Sequence, residues 1–339
     1  MKDIVKLLVE TNSPSGREEK IRNVILEQIR TFVDDYQIDS LGNLIVHKAG
    51  PGKKVLFDAH MDEIGFVATY IDENGFVKVE PIGGHNPLLM PSQRIQFEHG
   101  AIGTFWFESE YFAKKLTDYQ QVSFDSLYVD LGVNSRNAAL AKIRIGETAT
   151  FHQPFLDLGT RWLSKAMDDR IACAALVETI KAIRHPANDL YFVFATQEEV
   201  GLVGAKPAAF RIDPDYGVAV DICGTGFLDT PKGIKRLAVK LGAGPTIKIQ
   251  DRSHIGDYQL NQWIAQIGKQ YIIPTQFEVL PFGGTDGSAI QTTKQGVKAT
   301  TISIPCRYAH SPSEMVDAGD VQHCVQLLLQ LAETSFQSL

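Results

Sequence analysis

The sequence predicts an α/β protein: a mixed sheet sandwiched by helices, interrupted by a smaller β-rich module. Three observations carry this. The run Leu190-Tyr191-Phe192-Val193-Phe194-Ala195 is continuously apolar, as in a strand covered on both faces. Apolar residues at helical spacing alternate with such runs before residue 65 and after residue 160. Between them, short β-type runs separated by glycine turns replace any long helical period. The expected division is one larger domain, residues 1–64 and 160–339, with residues 65–159 inserted into it.

Taken in order, Ile4, Leu7 and Leu8 form a short helical stripe, and Ile21, Val24, Ile25 and Ile29 a second. Asn12-Ser13-Pro14-Ser15-Gly16 is the turn between them. Residues 44–47 and 54–58 read as strands. The β-rich insert contributes Gly65–Tyr70, Phe76–Val79, Arg94–Phe97 and Leu127–Val129. After it, Ile171–Ile183 has helical spacing, and Val218–Val220 and Thr300–Ile304 are further strands. Asp317 is placed to cap a final helix containing Val321, Val325, Leu328 and Leu329.

Composition narrows the function classes. A formal net charge of −7 without a basic block excludes nucleic acid and anionic membrane surfaces as main partners. Apolar stretches long enough to cross a membrane are missing, and the first residues lack a signal-peptide pattern. Four scattered cysteines, at 173, 223, 306 and 324, form no Cys-x-x-Cys pair and suit a reducing compartment. The expectation is a cytoplasmic protein.

Polar residues collect where the apolar strands end. Lys54–Asp58 runs into Ala59-His60-Met61-Asp62-Glu63, Leu190–Ala195 into Glu198-Glu199, and Val218–Val220 into Asp221. Thr300–Ile304 leads to His310, and Asp168-Asp169-Arg170 opens a helix. Each piece alone has a structural explanation: a capping histidine, a solvated helix start, or helix-terminal acids with a local ion pair. Together, at the ends of neighbouring strands, imidazoles and carboxylates without thiolate suit zinc, cobalt or manganese in hydrolysis. A glutamate beside a glutamate ligand would supply a general base, and a carboxylate two residues from His60 could orient its ring.

These segments, with Ser13-Pro14-Ser15-Gly16, Asp39-Ser40-Leu41-Gly42-Asn43, Ile82-Gly83-Gly84, Gly284-Thr285-Asp286-Gly287 and Arg307-Tyr308-Ala309-His310-Ser311-Pro312, give the chain its resemblance. It resembles the glutamyl and deblocking aminopeptidases, a family of dinuclear metallopeptidases with members that form tetrahedral particles. The resemblance implies a zinc-peptidase-like fold and two divalent metal ions per subunit, with zinc expected and cobalt or manganese as alternatives. It implies that His60 and Asp221 hold one ion, Glu199 and His310 the other, and that Asp168 bridges them. Asp62 would brace His60. A metal-bridging hydroxide would attack the peptide carbonyl with Glu198 as general base, removing N-terminal residues from short peptides. The insert would be a dimerisation domain, and the subunits a homo-oligomer built from dimers, up to a dodecamer. Arg136 and Gly287 depart from the family's usual residues without touching a proposed ligand.

Residues 250–254 and 281–285 are expected to border the substrate pocket, with Arg252, Gly284 and Thr285 as binding residues. A guanidinium at 252 points to N-terminal glutamate or aspartate; leucyl or broad specificity is the alternative. Outside this class, a glycoside hydrolase could use Glu198 with Asp168 or Asp221, a scaffold could keep the metal alone, and a deacylase or carboxypeptidase could share the framework.

Overall fold

The computed structural model describes residues 1–108, 122–225 and 237–336. Eleven strands form one mixed sheet, and six form a closed barrel. In chain order they are β1 (Asp35–Ile38), β2 (Leu44–Lys48), β3 (Lys54–His60), then the barrel strands β4 (Gly65–Ile71), β5 (Val77–Ile82), β6 (Arg94–Phe97), β7 (Ile102–Phe107), β8 (Leu127–Asp130) and β9 (Thr148–Phe151). The sheet resumes with β10 (Leu156–Asp157), β11 (Arg161–Ser164), β12 (Asp189–Ala195), β13 (Tyr216–Gly224), β14 (Thr246–Gln250), β15 (Gln276–Val279), β16 (Lys298–Arg307) and β17 (Glu314–Asp317).

The sheet runs β1-β2-β12-β3-β13-β16-β17-β11-β10, with β14 and β15 extending beside β16. Its centre is parallel: β12 with β3, β3 with β13, and β13 with β16. The continuous apolar runs are explained by burial on both sides. On one face Val55, Phe57, Phe192, Phe194, Val218 and Val220 pack under the helices Lys2–Val9, Glu19–Ile29, Met167–Ala182 and Ala318–Glu333. Their strand neighbours Leu56, Val193 and Ala219 point the other way, against Ala205–Ile212 and Asp286–Gln291. The two-residue period of a strand thus feeds two separate apolar layers.

The barrel, ordered β4-β5-β8-β7-β6-β9, has an apolar cluster of its own around Phe66, Phe97, Phe105 and Phe151. It closes at Phe151; Leu156–Asp157, farther along the 65–159 stretch, pair with β11 of the large sheet. Asp317 caps the last helix, its carboxylate accepting from the backbone N–H of Gly319 and Asp320.

Three elements differ from the sequence reading. In the first helix Leu7 is exposed and Val5 and Val9 fill the buried stripe instead. Strand β13 continues past Val220 to Gly224, so Asp221 lies within it rather than beyond it. Asp168 and Asp169 precede the regular part of their helix with non-helical backbone, joined by a cis peptide. Arg170 makes no local ion pair with them; fully buried, it donates to the carbonyls of Leu8, Thr11 and Ser13. Among the described residues, no helix is long and apolar enough to cross a membrane.

Candidate active site

The carboxyl ends of parallel strands β3, β12 and β13, and the turn after β16, converge on one cleft of about 670 Å³. This is where open α/β sheets place ligands. His60 ends β3 in register with Ala195 at the end of β12, which delivers Glu198 and Glu199 three and four residues later. Asp221 comes from the adjacent β13, paired with Ser303 of β16. His310 stands in the turn after β16, with left-handed backbone at φ 60°. Asp168 arrives from the other direction, after β11 and a left-handed Ala166.

Asp168 sits between the two histidines. Its Oδ1 lies 3.2 Å from His60 Nε2 and its Oδ2 lies 3.2 Å from His310 Nε2. Glu198 Oε2 is 3.9 Å from His60 Nε2, and Glu199 Oε2 is 3.5 Å from His310 Nε2. Their atoms form compact triplets that could hold a metal ion: His60 with Glu198 and Glu199, His60 with Asp169 and Asp221, and Asp168 with Glu199 and His310.

The other nitrogen of each ring is directed away from the cleft. His60 Nδ1 faces Asp62 Oδ1 at 3.4 Å, and His310 Nδ1 lies 2.8 Å from the Gly84 carbonyl. A carbonyl only accepts, so His310 keeps a proton on Nδ1, and Nε2 is the nitrogen turned toward Asp168 and Glu199. Gly84 belongs to the turn following β5, so the barrel helps orient this histidine. The approach is close: a Cβ on Gly84 would lie 3.0 Å from His310 Nδ1, and one on Gly83 3.2 Å from Glu199 Cβ.

Asp62 is wholly buried. It accepts from Ser15 Oγ at 2.6 Å and from the backbone N–H of Glu198 and Glu199 at 3.1 and 3.2 Å. It therefore ties the His60 segment to the Glu198-Glu199 turn.

The electrostatics are those of a cluster short of positive charge. Burial, and then the charge of Asp168, pushes Glu199 up to about 8 and Asp221 to about 7. Burial likewise raises Glu198 well above the carboxylate range, opposed by His60 and reinforced by Asp286. Burial disfavours charge on His310, but Asp168 and Glu199 outweigh it and hold the ring at about 11. Glu199 Oε1 and both oxygens of Asp169 are buried without a hydrogen-bond partner. Divalent cations would supply the missing charge, and imidazole with carboxylate is a donor set they accept. The residues fit such ions.

Arg252, Gly284 and Thr285 line the same cleft. Arg252 is exposed; Thr285 is buried, its hydroxyl 2.8 Å from that of Thr301. Sequence reasoning did not single out Asp169 as a potential ligand, nor the buried Asp58 and Asp286. Asp58 carried a signal, a carboxylate closing the otherwise apolar run Val55-Leu56-Phe57.

The M42 glutamyl aminopeptidase family model matches residues 42–327. The chain belongs to this family. A relative from Acetivibrio thermocellus, named "Putative aminopeptidase", is 41% identical over 97% of this chain and 98% of its own length. The lysyl aminopeptidase of Pyrococcus furiosus is 33% identical over 98% of this chain and 96% of its own. Among solved structures, the aminopeptidase APDkam598 of Desulfurococcus kamchatkensis superposes with a TM-score of 0.92 at 33% identity, covering 98% of this chain and 94% of that one. The Pyrococcus horikoshii TET1 peptidase, which can assemble into a tetrahedron or a large octahedral shell, gives 0.87 at 32% identity, covering 98% of each chain. The M42 chain described here is thus an aminopeptidase, a hydrolase of peptide bonds.

Proposed function

We propose that this M42 aminopeptidase is dinuclear and removes N-terminal residues from short peptides, with Glu198 as its proton carrier. The observation that supports it best is Asp168, one oxygen toward His60 and the other toward His310. His60 and Asp221 would hold one ion, Glu199 and His310 the other, and Asp168 both. Bound there, the ions would polarise the scissile carbonyl and make water a better nucleophile near neutral pH. Zinc is the expected metal, with cobalt or manganese as alternatives.

The chain's own residues do the rest. Glu198, its side chain 11% exposed at the cleft, accepts a proton from the attacking water as an ionised carboxylate. As the C–N bond breaks, it returns that proton to the leaving amine. Asp62 keeps the His60 ring in place and fixes the turn that carries Glu198. Gly284 and Thr285 shape the wall against which the first residue of the peptide lies.

For specificity, the carboxylates among the described cleft residues are those of the proposed metal cluster. Arg252 is the exposed cation among the described residues lining the cleft, which supports N-terminal glutamate or aspartate. Leu202, Ile222, Leu280 and Phe282 line the same cleft and support the second reading, a leucyl or broad neutral preference. By analogy with the TET1 peptidase, the chain would assemble from dimers, up to a dodecamer, with the barrel as the dimerisation module. Its place would be the cytoplasm, which suits four buried free cysteines.

The test is hydrolysis of glutamyl-, leucyl- and lysyl-anilides before chelation, after it, and after metal is restored. Chelator-sensitive release led by the glutamyl substrate is expected. Leucyl or lysyl preference would retire Arg252 as the determinant, and release insensitive to chelation would overturn the metal reading. Arg252→Ala should lower glutamyl relative to leucyl kcat/KM by about three- to tenfold, the span from a screened to a dry ion pair.

A further inference from the structure

We infer that Glu314 is a positioning residue that sets the spacing of Asp168 and His310 by gripping both of their backbones. The inference rests on the proposed metal-ligand roles of those two residues. Glu314 is 1% exposed and opens β17. Its Oε1 accepts from the backbone N–H of His310 at 2.7 Å, and its Oε2 from that of Asp168 at 2.9 Å.

The topology explains why one side chain reaches both. Strand β17 lies between β11 and β16 in the sheet. Its register sets Glu314 opposite Ser164, the last residue of β11, while Met315 and Val316 pair with Arg307 and Cys306. Asp168 follows β11 by four residues and His310 follows β16 by three. Both segments leave the sheet on the side where Glu314 stands, and both have irregular backbone, with Ala166, Tyr308 and His310 at positive φ. Neither N–H belongs to a regular strand ladder or helix, so each needs another acceptor. A carboxylate is suited to this, because it accepts on both oxygens and donates on neither.

Glu314 differs in kind from the residues around it. Lys165 and Arg170 are buried cations paired to Glu63, and they tie the Ser13 turn to the helix start. Glu314 holds neutral N–H groups of residues whose side chains face the cleft. Its effect on chemistry passes through the distance between Asp168 Oδ2 and His310 Nε2, now 3.2 Å. An ion held by Asp168 and His310 depends on both grips, whereas an ion held by His60 and Asp221 depends on Glu314 only through Asp168.

The experiment is a titration of the metal-free full chain with zinc alone, read by calorimetry or competition with a chromophoric chelator, in the wild type and in Glu314→Gln. Glutamine keeps the shape and one acceptor but turns its amide NH₂, a donor, toward the second N–H. The wild type should bind two ions per chain. Glu314→Gln should bind one ion with little change and the other about 10- to 100-fold more weakly, the range for residues that orient metal ligands. Excess zinc should then restore its kcat. If Glu314→Gln fails to fold, Glu314→Asp replaces it, since the shorter carboxylate cannot span both N–H groups and should show the same selective loss. Two unchanged affinities, or equal losses at both sites, would overturn the inference. A wild type that binds no pair of ions would instead overturn the dinuclear reading on which it rests.

Discussion

Replacing Asp62 by asparagine probes the site most directly, because every neighbour of this carboxylate is a donor. Ser15 Oγ and the Glu199 N–H donate to Oδ2, the Glu198 N–H to Oδ1, and His60 Nδ1 faces Oδ1. An asparagine must turn its NH₂ toward one side. Toward the Oδ1 side it would oppose both the Glu198 N–H and the His60 ring. Toward the Oδ2 side it would meet the Ser15 hydroxyl, which can rotate to accept, and the Glu199 N–H, which cannot. The second arrangement is cheaper and leaves one buried N–H unpaired, a loss of about 1–3 kcal/mol of stability. It also removes the negative charge behind His60, for which about 10- to 100-fold in metal affinity is expected.

Two measurements separate these effects. Thermal unfolding of the metal-free chain reports the first, and zinc titration with kcat/KM on an anilide at saturating zinc reports the second. Ser15→Ala is the control: it removes one of the donors, leaves Asp62 charged, and should change zinc affinity less than Asp62→Asn does, by about tenfold at most, the upper end of a single net hydrogen bond. The pH dependence adds a check of sign. Burial raises the Asp62 carboxyl, but His60, Ser15 and the Glu198 N–H outweigh it and hold it below its ordinary 3.8. A carboxyl depressed in the folded state contributes stability above 3.8, which is lost as pH falls through its folded value. Asp62→Asn should therefore abolish that part of the acid loss. An Asp62→Asn enzyme within twofold of wild type in zinc affinity and kcat/KM would refute the bracing role.

Glu198→Gln should lower kcat by about 10²- to 10⁴-fold while still binding zinc, as measured by titration beside steady-state kinetics; near-normal kcat would exclude Glu198 as the proton carrier. Gly84→Ala sets a methyl 3.0 Å from His310 Nδ1. It should weaken zinc binding by about tenfold or more with little change in unfolding temperature of the metal-free chain, and unchanged zinc affinity would show that the barrel turn does not orient the ring. His85, among Phe66, Phe124 and Phe151, is pushed down to about 4 by burial, with the His310 charge adding to the effect. A histidine depressed in the folded state takes its proton first in the unfolded chain. Stability should fall between pH 6.5 and about 4, by up to about 3 kcal/mol. His85→Phe should flatten that slope in urea titrations, and an equal slope in both proteins would refute the assignment.

The sequence reading succeeded where one-dimensional pattern and three-dimensional position coincide. A run such as Leu190–Ala195 is apolar because both faces are covered, and the polar residues just beyond it must lie at the rim of the sheet. His60, Glu198-Glu199, Asp221 and His310 could be marked for that reason, and Asp168 at the start of a helix; their separate roles came only through the resemblance. The pattern could not reveal how far a strand continues, so Asp221 seemed to follow a strand in which it is embedded.

Residues that work through backbone groups were less legible, for a physical reason. An acidic side chain in Ser311-Pro312-Ser313-Glu314 reads as a solvated loop residue; only the order of β11, β17 and β16 brings two unpaired N–H groups to it. Arg170 gave a similarly misleading signal. Beside two aspartates it suggests a local ion pair, yet three carbonyls of the first turn hold it inside the protein. The proposed ligands are visible because their chemistry is in the side chain itself, at the end of a recognisable strand. The residues proposed to aim them are set by what converges on them from distant parts of the chain. Substitutions at Glu314 or Asp62 should therefore change metal binding as strongly as many ligand-adjacent changes, although neither residue belongs to the proposed ligand set.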